Sequence, residues 1–133
     1  MYLLDSCTMS DFMKGEVGTA KKLKFLSPSL IYISTITITE IKCRLLRKFD
    51  SSHRYFKIFE EFLNAVTILP FNEAAADSSA RIMTELNRKG TPIGAYDFLI
   101  AGIALASKLT LVTSNEKEFN RISGLNIENW RSA

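Results

Sequence analysis

The chain has 133 residues, 47% of them apolar and 23% charged, with a formal net charge of +3. That is one domain's worth of chain with enough apolar content for its own core, so disorder and a multi-domain layout are excluded. Two cysteines, Cys7 and Cys43, and a single histidine, His53, exclude a disulfide framework and a zinc centre built from His and Cys.

Residues 2–4 form a short apolar run that ends at Asp5 and predicts a first strand. Short helices are expected over 8–14 and 19–26, separated near Gly15 and Gly18. Residues 30–33 read as a second strand. Helices follow over 37–48 and 52–64, the second with Phe56, Phe59, Phe62 and Leu63 on one face. A third strand, 66–69, stops at Pro70. Asn72 is placed to cap a helix over 73–89, with Ala76, Ala80, Met83 and Leu86 as its apolar stripe and Gly90 as its stop. The helix over 95–108 is apolar nearly all round, which predicts burial. Residues 109–113 form a fourth strand, 116–121 a short helix and 125–128 a last strand.

Short apolar strands alternating with helices predict an α/β fold in which a mainly parallel sheet is covered on both faces. The whole chain, 1–133, reads as a single domain. The longest apolar stretch, 98–106, is far short of the ~20 residues that span a bilayer, and Asp5 breaks the first apolar run. A cytoplasmic protein with no membrane partner is expected, and its two thiols are expected to be buried and free.

Ligands of such sheets bind beyond the carboxyl ends of the strands. Asp5 follows strand one, Glu40 lies in the first turn after strand two, Asp97 opens the apolar helix, and Asn115 and Glu118 follow strand four. Each acid has a structural explanation. The run from Thr37 to Glu40 fits a capping box, and Asn115 to Glu118 resembles the same device. Asp97 suits a helix dipole, and Asp5 suits a turn. A non-catalytic interaction or signalling module with all its acids serving as caps is therefore the alternative reading.

The functional reading is that these carboxylates gather. Crowded carboxylates repel and raise one another's pKa, and a hard dication relieves the repulsion. Magnesium takes oxygen ligands and keeps several waters, so a few carboxylates suffice. Such an ion activates water and offsets charge on a phosphoryl oxygen. A basic strip from Lys42 to Lys57, with only Asp50 opposing it, is read as a solvated helix face or a surface for phosphate or an acidic protein.

The chain resembles the PIN-domain ribonucleases, and within them the VapC toxins of toxin–antitoxin pairs. The stretches that carry the resemblance are YLLDSC at 2–7, STITITEI at 34–41, RKGTPIGAYDFLIAGIALA at 88–106, LVTSNEKEF at 111–119 and GLNIENW at 124–130. The resemblance implies a three-layer α/β/α sandwich and endonucleolytic cleavage of RNA with Mg²⁺ or Mn²⁺. Asp5, Glu40 and Asp97 match the family's metal-binding acids, and Glu118 lies where a fourth is often placed. Ser6, Thr113 and Asn115 match supporting polar residues of the same pocket. A transfer RNA is the implied substrate, and GTPIGAYD is most similar to the subgroup acting on initiator transfer RNA. The implied partners are a second copy of the chain and a VapB-type antitoxin, with operator DNA reached through the antitoxin.

The resemblance has departures. The family commonly has Asp-Thr-Asn after strand one, and this chain has Asp5-Ser6-Cys7. Ser6 keeps the hydroxyl, whereas Cys7 lacks the amide. Asn115 stands where relatives can carry an acid, which implies a weaker second-metal site. Other folds of similar pattern fit less well. A phosphoacceptor domain needs an Asp after strand three, where Pro70-Phe71-Asn72 stands. An Asp-x-Asp phosphatase needs an acid at Cys7.

Overall fold

The computed structural model describes residues 1–132. Its five strands are β1 (Tyr2–Leu4), β2 (Ile31–Ser34), β3 (Thr67–Leu69), β4 (Thr110–Val112) and β5 (Ile127–Glu128). They form one all-parallel sheet in the order β3-β2-β1-β4-β5. The helices are α1 (Ser6–Lys14), α2 (Val17–Phe25), α3 (Thr35–Lys48), α4 (Arg54–Ala65), α5 (Glu73–Arg88), α6 (Ala95–Ala106) and α7 (Glu116–Phe119). The elements expected from sequence are all present, with bounds shifted by a few residues.

Alternation along β1 builds the three layers. Leu3 faces one side of the sheet and Leu4 the other, as the two-residue period of a strand requires. Leu3 joins Ala75, Ile82, Leu86, Ile100 and Ile103 under α5 and α6. Leu4 joins Met9, Met13, Ile41, Leu45, Phe59 and Phe62 under α1, α3 and α4. The result is the α/β/α sandwich anticipated above. No helix of the described residues is long and apolar enough to cross a membrane.

Four local expectations need correction. The apolar stripe of α5 is Ala75, Ile82 and Leu86 together with Ser79, while Ala76, Ala80 and Met83 are exposed. The reason is close approach to α6: a Cβ on Gly102 would lie 1.9 Å from Ser79 Oγ and 2.9 Å from the Ala75 carbonyl. Small residues, not the largest ones, therefore face α6. Second, Cys43 is exposed and Cys7 half-buried, so the thiols are free but not both buried. Third, Tyr96, which its place beside Asp97 on an apolar helix predicts to pack in the core, is 55% exposed. Fourth, α3 begins at Thr35, because Ser34 at the end of β2 is its cap.

The sheet order decides where chemistry can sit. From β1 the chain runs outward through β2 to β3, and then returns to β4 on the other side of β1. The β1–β4 junction is thus the switch point, the crevice where open α/β sheets hold ligands.

Candidate active site

Asp5 leaves β1 at that junction, and Thr113 leaves β4 beside it, one residue past the Leu4–Val112 pairing. Both are buried, at 3% and 0% exposure. Asp5 caps α1, accepting from the Thr8 amide through Oδ1 at 2.9 Å. Capping is therefore part of its role, as an Asp at that position should do. Burial raises its pKa, while donors from Thr113 and Thr8 oppose the shift.

Glu40 sits in the second turn of α3, six residues beyond its true cap. The Ser34 hydroxyl accepts from the Thr37 amide at 3.0 Å, so the capping box expected from Thr37 to Glu40 does not form. Glu40 is left to face the crevice. Its Oε2 accepts a long hydrogen bond from Ser6 at 3.5 Å, and its Oε1 is buried without a partner. Burial raises its pKa, Arg44 lowers it, and the charge of Asp5 raises it.

Asp97 is the third residue of α6, whose amino end has no side-chain cap. Its pKa is raised to about 7. Burial is the largest cause, followed by a hydrogen bond with Glu118 and the charges of Glu118, Asp5 and Glu40.

The second expected capping box fails as well. The Asn115 side chain makes no cap bond on α7. Its Nδ2 donates instead to Glu118 Oε2 at 2.7 Å, while its backbone N–H donates to Thr113 Oγ1 at 2.9 Å. The segment thus presents Glu118 to Asp97.

The charges of Asp5, Glu40 and Glu118 thus all act on Asp97, while Ser6 bonds Glu40, Thr113 bonds Asp5 and Asn115 bonds Glu118; this acidic end of the crevice is the candidate hollow. Among the described residues, no three His, Cys, Asp or Glu side chains lie together as a group that could hold a metal ion as they stand.

Some contributors were not foreseen. Thr8 serves Asp5 through its amide, and its hydroxyl donates to the Val112 carbonyl at 2.9 Å, tying α1 to the end of β4. The Asp-x-x-Thr spacing was the available signal. Cys7 lies near the acids, and burial with the Asp5 charge pushes its thiol to about 11. It stays protonated there. His53 is committed elsewhere: its Nδ1 accepts from the Tyr55 amide at 3.1 Å, and its ring stacks on Phe49 at 4.0 Å.

The PIN domain family model matches residues 2–125. The chain belongs to the PIN-domain family. Within it, the chain stands with the VapC proteins. It is 35% identical to the tRNA(fMet)-specific endonuclease VapC of Salmonella typhimurium, with 97% of each chain covered. It is 37% identical to ribonuclease VapC2 of Rickettsia felis over 75% of this chain and 74% of that one. Among solved structures it matches VapBC2 of Rickettsia felis bound to a DNA fragment from its promoter. That match has a TM-score of 0.88 and 32% identity, covering 97% of this chain and 98% of the other.

Proposed function

We propose that this PIN-domain protein is the toxin of a toxin–antitoxin pair and cuts RNA with a divalent metal held by Asp5, Glu40, Asp97 and Glu118. One observation carries the reading. Asp97 at the start of α6 has its pKa raised to about 7, first by burial and then by Glu118, Asp5 and Glu40, three acids that come from separate elements. A fold with no ion to bind gains nothing from this crowding, because like charges destabilise one another.

The donor set fits Mg²⁺ or Mn²⁺. All four groups are carboxylates, and the buried, unpartnered Glu40 Oε1 is a lone-pair donor with nothing to bind. When bound, the ion supplies a Lewis acid that activates water and offsets charge on the phosphoryl oxygen. The chain's own residues prepare that site. Asp97, whose pKa is raised to about 7, must lose its proton before it can act as a ligand. Asn115 fixes the Glu118 carboxylate, donors from Thr8 and Thr113 offset part of the burial that raises the Asp5 pKa, and Ser6 steadies Glu40. No histidine is needed, and His53 is occupied in capping α4.

The substrate reading is transfer RNA, initiator transfer RNA in particular. It is supported by the GTPIGAYD block and by the printed specificity of the Salmonella typhimurium relative. The partner reading is a VapB-type antitoxin, through which the complex reaches operator DNA, together with a second copy of the chain. Related chains crystallise as DNA-bound VapBC complexes, that of Rickettsia felis on a fragment of its promoter. Away from these acids lies an apolar groove between α1, α2 and α4, lined by Phe12, Val17, Leu23, Leu26, Ile58 and Phe62. Its chemistry suits an apolar segment of a protein partner.

The test is cleavage of total RNA by purified protein with magnesium, with EDTA, and with Asp97→Asn in place of the parent chain. Cutting confined to the parent with magnesium is expected. Equal cutting in all three samples would refute the mechanism. Mapping the new 5′ ends names the substrate, and ends scattered over all RNAs would refute the transfer RNA reading.

A further inference from the structure

Arg44 stands four residues beyond Glu40 on α3, so the two share a face about 6 Å apart along the helix axis. It is half-buried. Its guanidinium Nη1 donates to Ser10 Oγ on α1. Among the described residues that is its only hydrogen bond, and no ion pair engages it. Its positive charge still reaches Glu40 and Cys7, favouring the ionised form of each.

A five-donor cation is thus fixed by one donor and holds the rest free near Glu40. A structural tie to Ser10 would not require a charge, since a neutral amide could make it. A hollow lined with carboxylates repels RNA, and a guanidinium anchored at its edge is the group that grips a phosphate in bidentate fashion. Arg47, exposed, continues the same face three residues on.

We propose that Arg44, anchored by Ser10, is a substrate-binding residue that holds an RNA phosphate flanking the cut site, and that the α3 face from Arg44 to Arg47 directs the strand away from the hollow. The assignment rests on the nuclease reading above.

The experiment measures binding of a labelled single-stranded oligoribonucleotide of mixed sequence, in EDTA, over a range of salt concentrations. The uncleaving Asp97→Asn chain is the parent. Removing one phosphate contact to a single strand lowers the slope of log K against log salt by about 0.7. Arg44→Gln should show that drop with a several-fold loss of affinity that is uniform across sequences, and Arg44→Lys should restore the slope. Ser10→Ala, which leaves the charge, should keep the slope and raise Kd. If Arg44→Gln melts far below the parent, Arg44→Met takes its place. An unchanged slope on loss of the charge, or a loss that lysine does not rescue, would overturn the proposal. Cleavage of the same RNA by the chain with native Asp97 and Mn²⁺ separates the two readings. If it cuts while Arg44→Gln keeps the slope, only the arginine assignment fails. If it neither binds nor cuts, the nuclease reading fails.

Discussion

Asn115 Nδ2 donates to Glu118 Oε2 at 2.7 Å, and Glu118 is the acid that acts most strongly on Asp97. This contact turns a residue placed to be a helix cap into a support for the acid beside Asp97. Asp97 is the group whose pKa is raised to about 7.

That shift makes stability depend on pH in a definite direction. The Asp97 pKa rises from 3.8 in the unfolded chain to about 7 in the folded one, so the folded state binds more protons between those values. The resulting stability is present below the unfolded pKa and lost as pH rises through the folded one. The melting temperature of the metal-free protein should therefore fall by several degrees from about pH 5 to about pH 8. Asp97→Asn, which stays neutral, should flatten that fall, and Mn²⁺ should reverse it in the parent chain. The same variant should retain its fold and lose RNA cleavage by at least about a hundredfold. Thermal melts with EDTA and with manganese, beside cleavage rates, check all three.

Asp5 carries two roles that substitutions can separate. Asn caps a helix as well as Asp does, whereas Ala does not. Asp5→Asn should keep the Thr8 contact and near-native stability yet lose activity. Asp5→Ala should lose activity and also about 1–2 kcal/mol of stability. Denaturant unfolding of the two variants, with RNA cleavage beside it, is the check. Activity retained in Asp5→Asn would reduce this residue to a cap.

The α5–α6 contact sets the position of Asp97 from below. Gly102→Ala places a Cβ against Ser79 Oγ and the Ala75 carbonyl, and the carbonyl belongs to a helix that cannot yield alone. A loss of about 1–3 kcal/mol is expected from such overpacking. Adding Ser79→Ala should recover part of it, since Ser79 Oγ is buried without a hydrogen-bond partner. Chemical denaturation of the single and double variants measures both effects.

The layered fold was legible because strand and helix periods differ and the breakers Pro70 and Gly90 mark their limits. Gly90 adopts a φ of 69°, the left-handed turn that ends α5. The acids were legible by their place after strands. What the pattern hid was which neighbour each residue prefers. Alanines occupy both faces of α5, so hydropathy could not reveal that Ser79 lies against Gly102. β2 runs to Ser34, which moves the α3 cap back and frees Glu40 from the box its spacing suggested. Arg44 was concealed within the basic strip, because a run of like charges does not say which member turns inward. Its offset of four from Glu40 was the only clue.

Diffraction from crystals soaked in manganese, recorded at the metal's absorption edge, tests the central claim most directly. An anomalous peak bounded by carboxylate oxygens of Asp5, Glu40, Asp97 and Glu118, lost in Asp97→Asn, is the result this account predicts. A soaked crystal with those side chains ordered and no peak among them would contradict it.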